Sequence, residues 1–545
     1  MHEPDFSPFT RLLQEAPPQP ERNLPALVER QARVQGQRVY VTVQHRTVTF
    51  ADFRDQVARF AGTLLAAGVS PGDRVAIMCR NRMEFLTAFF GTVWLGAIAV
   101  PVNTGLRGSQ LAHQLVDSGA RLLILDGDLV GCLLRVVAPN LKKVWLLDLA
   151  VGELPDGVDI GPLPPPAAPV PYKPSSSEVT CAILYTSGTT GPSKGVAYPA
   201  DQLFWWAAVM GAMMKSTSDS VIFTTLPLFH IHALSTSVQP FVNGSHCVIM
   251  ERFSASRFWM EAVEAKATHA CLIGAMGNIL LAQPPSPLDK AHGIHTVFAS
   301  SIRSSVWTEF TVRFNLPRRV GGYGSTETNA AFFAQNGWEV QGNMGRPVPL
   351  FQADVVDAHD ATVPADQPGE LVLRSNVPFA FASGYWGAPD ATLSAWRNFW
   401  FHTGDIVVRN RDGIFRFVGR LKESIRRRGE NISAWEVEQA ILSHGSVSDS
   451  AVFGVPSSIG DEDVMAVVVM REGCSVEPED LLRHLDKRLA YFAIPRYVEF
   501  MAALPLTENG KIKRTELRQR GVTAFTWDRE VVGYKVTRQA GRAAT

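Results

Sequence analysis

Residues 186–195 read Thr186-Ser187-Gly188-Thr189-Thr190-Gly191-Pro192-Ser193-Lys194-Gly195: three glycines, five hydroxyl side chains and one lysine. Glycine lets backbone N–H groups face a ligand, hydroxyls donate hydrogen bonds, and a mobile ammonium neutralises negative charge. Together these are the parts of a phosphate cradle. The pattern is not a Walker loop, because Lys194 is followed by Gly195 and not by Ser or Thr. Taken alone, the same composition also describes a surface loop.

Four further motifs follow in order. Gly322-Tyr323-Gly324-Ser325-Thr326-Glu327 sets glycines that let a backbone approach a ligand before a hydroxyl and a carboxylate. His402-Thr403-Gly404-Asp405 reads as a carboxylate on a tight turn. The segment 419–432 carries Arg420, Lys422, Arg426, Arg427 and Arg428 between Gly419 and Gly429. The last, Thr507-Glu508-Asn509-Gly510-Lys511, places a lysine just after a turn glycine. Each alone is an ordinary turn; five in this order are specific.

With these motifs the chain resembles the adenylate-forming superfamily of acyl-CoA synthetases, non-ribosomal peptide adenylation domains and beetle luciferases, over roughly residues 25–520. The wording at 425–436 and at 521–530 is most similar to the crotonobetaine/carnitine-CoA ligase branch. The resemblance implies a two-step reaction. A carboxylate attacks the α-phosphate of ATP and releases pyrophosphate; a thiol, usually that of coenzyme A, then attacks the acyl carbon and expels AMP. Bringing two anions together asks the protein for positive charge and positioning more than for covalent help.

By the same resemblance, Thr186, Ser187, Gly188, Thr189, Thr190 and Lys194 hold the β- and γ-phosphates. Thr326 meets the α-phosphate, and Glu327, with Thr186, helps bind Mg2+. Tyr323 and Gly324 lie by the adenine, Asp405 binds the ribose hydroxyls, and Arg420 supports the ribose or phosphate side. Lys511 reaches the α-phosphate and substrate carboxylate, a transient role that suits a compact charge on a flexible stem. Lys422 falls where the family hinges. Rotation there withdraws Lys511 and brings Gly429 toward the pantetheine tunnel. His230 lines and gates the acyl pocket. A metal site at His230 and His232 lacks further clustered ligands.

Two departures stand out. Where many relatives carry a Gly-Gly-Ala-Pro-like turn beside the adenine, residues 299–303 read Ala-Ser-Ser-Ile-Arg. The run Arg426-Arg427-Arg428 either meets the CoA phosphates or is a solvated face. The pocket wall is expected from 204–214, 229–237 and 274–278, with at least half of the bulky side chains of 204–214 in the core. No acidic residue between 229 and 237 could pair with a trimethylammonium group, so a hydrophobic carboxylic acid is the expected substrate. The function implied is ATP-dependent acyl-CoA ligation. A stand-alone adenylation enzyme loading a carrier-protein phosphopantetheine is the alternative. A non-catalytic acyl- or nucleotide-binding homologue is opposed by the intact Lys194, Glu327, Asp405 and Lys511.

These residues need elements to hold them. Apolar runs at 74–78, 121–125, 144–147, 220–225 and 270–273 read as strands; 53–67, 109–118, 202–214 and 253–265 read as helices. That alternation predicts an α/β fold with parallel sheets. The large N-terminal domain, 1–421, is expected as stacked, mostly parallel sheets with helices and a small barrel-like subdomain. A small mobile α+β domain, 422–545, carries Lys511, with helices at 434–443 and 478–489 and strands at 447–455 and 464–470. The apolar stretch 85–102 is broken by Gly91, Gly96 and Pro101, so it reads as a buried helix and strand and not as a membrane span. Residues 154–174 read as an extended connector.

At 545 residues more than one core is needed. The 52 basic and 52 acidic residues cancel, which argues against a nucleic-acid surface. Six scattered cysteines without CxxC spacing argue against a disulfide framework, and no secretory signal is visible, so a reduced, cytoplasmic protein is expected. The expected partners are a small carboxylic acid, ATP and CoA, with a carrier protein and the oligomeric state, homodimer included, left open.

Overall fold

Thr180–Thr186, Ile98–Pro101, Arg74–Met78, Leu122–Leu125 and Lys143–Leu146 are apolar runs buried nearly throughout, as strands of a parallel sheet covered on both faces must be. The computed structural model that defines them describes residues 5–536 except 135, 187–191, 301–303, 336–342, 422–423, 428–429, 458–461, 487, 490–492, 508–510 and 535. The chain divides into two units, Met1–Ala353 with Leu373–Phe401, and Asp354–Val372 with His402–Thr545.

In the first unit one sheet runs in the order Gly384–Tyr385, Lys194–Pro199, Thr180–Thr186, Ile98–Pro101, Arg74–Met78, Leu122–Leu125, Lys143–Leu146, Asp159–Pro162. Its pairing is parallel from Thr180–Thr186 onward and antiparallel on the side of Lys194–Pro199 and Gly384–Tyr385. The last strand, Asp159–Pro162, lies inside the stretch read as a plain connector, where it adds an exposed margin to the sheet. A second parallel array joins Val39–Val43, His246–Ile249, Val221–Thr224, His269–Ile273, Thr296–Ser300 and Arg318–Gly321.

The helix Ala200–Met214 packs against Thr180–Thr186 and Lys194–Pro199 of one sheet and against Thr296–Ser300 and Arg318–Gly321 of the other. A helix covered on all sides is apolar all round. Phe204, Trp205, Trp206, Met210, Met213 and Met214 are accordingly at most 6% exposed. All six are buried, in keeping with the expectation that at least half of them are core.

The stretch at 85–102 resolves into the helix Met83–Trp94 and the strand Ile98–Pro101. Among the described residues no helix is long and apolar enough to cross a membrane. The helix Ser7–Glu15, unforeseen in the sequence, buries Phe9 against Phe333 with ring centroids 5.3 Å apart.

The second unit is smaller and centres on the sheet Val447–Pro456, Glu462–Met470, Tyr497–Phe500, Trp527–Asp528. Helices Ala434–Leu442 and Pro478–Asp486 cover it through Val437, Ile441, Leu481, Leu482 and Leu485. Ser433 caps the first of these helices by accepting from the Glu436 N–H at 3.2 Å.

Candidate active site

The glycine-rich segment joins two antiparallel strands, Thr180–Thr186 and Lys194–Pro199, with Thr186 opposite Lys194. It is a hairpin connection. Ser187, Gly188, Thr189 and Thr190 lie outside the described residues; Thr186 and Lys194 are its two posts. A third strand, Gly384–Tyr385, pairs beside Lys194–Pro199 with Tyr385 opposite Val196. This pairing puts the Tyr385 ring under the Lys194 ammonium, 4.6 Å from Nζ to the ring centroid. The Tyr385 hydroxyl donates to Glu327 Oε1 at 3.0 Å. Burial, with the Glu327 charge beside it, holds the Tyr385 phenol above its ordinary pKa, so it stays a donor.

Thr326 and Glu327 are fixed by their backbone. The Tyr198 hydroxyl donates to Thr326 O at 2.5 Å, and Gln202 Nε2 donates to the same oxygen at 3.2 Å. Glu327 O accepts from the Ala382 N–H at 2.8 Å. A Cβ at Gly322 would sit 1.8 Å from Phe332 O, and one at Gly324 2.2 Å from Asn329 O. These two glycines therefore admit the chain's own neighbouring backbone, a closer use than approach to a ligand. The Tyr323 ring meets Phe332 edge-on at 5.8 Å.

The structure thus brings Lys194, Glu327 and the Thr326 backbone together around a residue that the motif reading missed. Tyr385 stands alone in Ser383-Gly384-Tyr385-Trp386, and only sheet pairing reveals its neighbours. His113 was also missed. It lies on the helix Gly108–Ser118, and its Nε2–H donates to Ser193 O at 2.7 Å, bracing the downstream limb of the hairpin.

His230 immediately precedes the helix Ile231–Asn243 without a side-chain capping bond, its ring 4.6 Å from that of Phe229. His232 packs edge-on against Phe298, and burial, with His230 beside it, lowers its pKa to about 4. Among the described residues no group of three or more His, Cys, Asp or Glu could hold a metal ion. Arg303 lies outside the described residues. A polar cavity of about 440 Å3 is lined by other residues, among them Arg46, Arg80, Arg82, Asp126 and Asp148. Its charges satisfy one another, Arg82 pairing with Glu84, Asp126 and Asp148 at 2.6–2.9 Å.

In the second unit Asp405 is 3% exposed and pairs with Arg420 Nε at 3.0 Å, the two facing each other across the strands Trp400–Arg409 and Phe415–Arg420. The segment 402–405 is strand and not the tight turn expected from its glycine. Gly404 takes φ +71°, and its N–H donates to Glu370 Oε1 at 3.0 Å, so the kink is absorbed within the strand.

Lys511 is exposed and sits on a hairpin closed by Thr507 N–H to Lys511 O at 2.7 Å and Lys511 N–H to Thr507 Oγ1 at 3.1 Å. Arg514, three residues on, anchors that hairpin by donating to both oxygens of buried Glu438 at 2.8 and 2.9 Å. Arg427 corrects the reading of the triple arginine as CoA-facing or solvated. It is 3% exposed, with Nε 2.9 Å from Asp463 Oδ1. Lys422, Arg428 and Gly429 lie outside the described residues.

These units match known proteins. Residues 28–386 match the AMP-binding enzyme family and residues 436–511 the AMP-binding enzyme C-terminal domain; the chain belongs to this family. It is 31% identical over 529 residues to the medium/long-chain-fatty-acid–CoA ligase FadD6 of Mycobacterium tuberculosis, covering 93% of this chain and 87% of that one. It is 30% identical over 483 residues to the crotonobetaine/carnitine–CoA ligase of Citrobacter koseri, covering 87% and 93%. Among solved structures, ATP-bound MatB from Rhodopseudomonas palustris superposes with a TM-score of 0.82 at 25% identity, over 91% of this chain and 99% of that one.

Proposed function

We propose that the protein is an ATP-dependent, AMP-forming acyl-CoA ligase acting on a hydrophobic carboxylic acid. One carboxylate oxygen of the acid bonds to the α-phosphorus of ATP as the bond to pyrophosphate breaks. The thiol sulfur of CoA then bonds to the acyl carbon and AMP departs. The observation that carries this reading is the juxtaposition of Lys194, Tyr385 and Glu327 beside the glycine-rich hairpin, in a chain of the AMP-binding enzyme family.

Lys194, Thr186 and the hairpin residues 187–190 are assigned to the β- and γ-phosphates. Mg2+ is commonly held by one or two carboxylates together with substrate phosphates. Glu327, half-buried and with one oxygen already engaged by Tyr385, fits such a site. When bound, the metal would neutralise phosphate charge. Asp405 is assigned to the ribose hydroxyls, with Arg420 supporting it. Lys511 is assigned to the α-phosphate and the substrate carboxylate. His230, next to Phe229 at the helix start, is assigned to the acyl pocket.

The acid is read as hydrophobic because residues 229–237 carry no carboxylate that could meet a quaternary ammonium. FadD6 is named for medium- and long-chain fatty acids, which supports the same class.

The test is pyrophosphate and AMP release over a panel of aliphatic and aromatic carboxylic acids, with and without CoA. Acyl-CoA and AMP in equal amounts are expected for a hydrophobic acid. Acyl-adenylate that is never transferred to CoA would redirect the reading to carrier-protein loading. ATP consumption with none of the acids would refute it.

A further inference from the structure

We infer that Tyr385 is a positioning residue that keeps the Lys194 ammonium and the Glu327 carboxylate from pairing with each other, so that both remain available to the nucleotide. This rests on the reading of Lys194 as a phosphate ligand and Glu327 as a metal ligand. Lys194 stands over the ring face of Tyr385 and Glu327 at its hydroxyl, so the tyrosine engages two opposite charges that attract each other while the nucleotide is absent. An ion pair between them would have to be broken at each turnover.

Tyr385 serves each charge without cancelling either. Its ring face holds the ammonium at 4.6 Å, a contact that orients a cation and leaves its charge intact. Its hydroxyl, a neutral donor, occupies only Oε1 of Glu327 at 3.0 Å.

The mounting is firm. Tyr385 N–H donates to Thr392 Oγ1 at 2.9 Å, and Trp386 N–H donates to Gly195 O at 2.7 Å. The Trp396 ring meets Tyr385 edge-on at 5.8 Å. Gly384 has φ +135°, and a Cβ there would come within 2.7 Å of Thr392 Cγ2, so glycine is needed to seat the tyrosine. The hydroxyl and the ring do separate work, which makes the idea separable by substitution.

Tyr385→Phe keeps the ring and loses the donor; Tyr385→Leu loses both. ATP binding is measured by calorimetry in EDTA, and Mg2+ half-saturation by acid-dependent pyrophosphate–ATP exchange. Tyr385→Phe is expected to bind metal-free ATP as the parent does. Its Mg2+ half-saturation should rise about 10- to 150-fold, the loss of one hydrogen bond to a charged group. Tyr385→Leu should also weaken metal-free ATP binding about 3- to 30-fold, the range of a cation–π contact, and this further loss should vanish in a Lys194→Met background.

Unchanged Mg2+ half-saturation in Tyr385→Phe, or losses in Tyr385→Leu and Lys194→Met that simply add, would overturn the inference. Thermal midpoints of all variants separate these effects from a general loss of fold. If the parent protein itself binds no ATP, the underlying functional reading fails instead, whatever the variants do.

Discussion

Lys511 is exposed, and its backbone N–H and C=O are both engaged by Thr507. Its assignment is to adenylation alone. Lys511→Ala should therefore lower acid-dependent pyrophosphate release by about 100-fold or more, while transfer from preformed acyl-adenylate to CoA stays within about threefold. Single-turnover measurement of each half-reaction checks this; equal losses in both would remove the assignment.

A second residue makes a pH prediction. Asp201 is fully buried at the start of the helix Ala200–Met214, and burial raises its pKa to about 7 although Arg22 Nη1 lies 3.8 Å away and opposes the shift. An unfolded aspartate titrates near 3.8. Between these values the folded chain holds a proton that the unfolded chain has lost, so this group's contribution to stability falls as pH rises through that window. The stability of the parent relative to Asp201→Asn should thus be greater at pH 5 than at pH 8, read from urea midpoints. A difference independent of pH would show that Asp201 does not titrate there. At this scale Thr186, Lys194, Glu327, Asp405 and Lys511 were singled out in the sequence because each belongs to a local motif. Tyr385 was not, since its hydroxyl contact lies 58 positions away in sequence.

Among the elements, the hairpin under the glycine-rich loop and the helix that follows it do the positioning. That helix carries Gln202 to the Thr326 carbonyl and buries Trp205 between two sheets. Trp205→Ala should cost about 3–5 kcal/mol of stability, the usual toll for emptying an aromatic site in a core, as calorimetric unfolding would show. Helical spacing alone could not tell pocket wall from core here, because a helix enclosed on every side has no polar face to orient it.

Arg427 departs from the reading of its run for another reason. Charge runs are normally solvated, and nothing local announces that Arg427 turns inward to Asp463, which also receives Arg496 at 3.0 Å. Arg427→Ala should destabilise the second unit by about 3 kcal/mol, because a buried carboxylate loses one of its cations. Urea unfolding should report that loss with an unchanged KM for CoA. A raised KM with stability intact would return Arg427 to the ligand.

For the molecule as a whole, the alternation of apolar runs and helical patterns was enough to predict the α/β class. The strand Arg74–Met78 falls where it was expected, and Val447–Pro456 within a residue. Parallel strands buried on both faces leave a strong apolar signal. The helix Ser7–Glu15 and the strand Asp159–Pro162 left little, the one amphipathic and short, the other proline-bearing and marginal.

The proposed chemistry turns on which bond of ATP is broken. Acid-dependent exchange of labelled pyrophosphate into ATP, run with Mg2+ and without CoA, reads that bond directly. Exchange that requires a hydrophobic carboxylic acid and is lost in Lys511→Ala is expected. ADP and inorganic phosphate as products, or exchange indifferent to the acid, would contradict that chemistry.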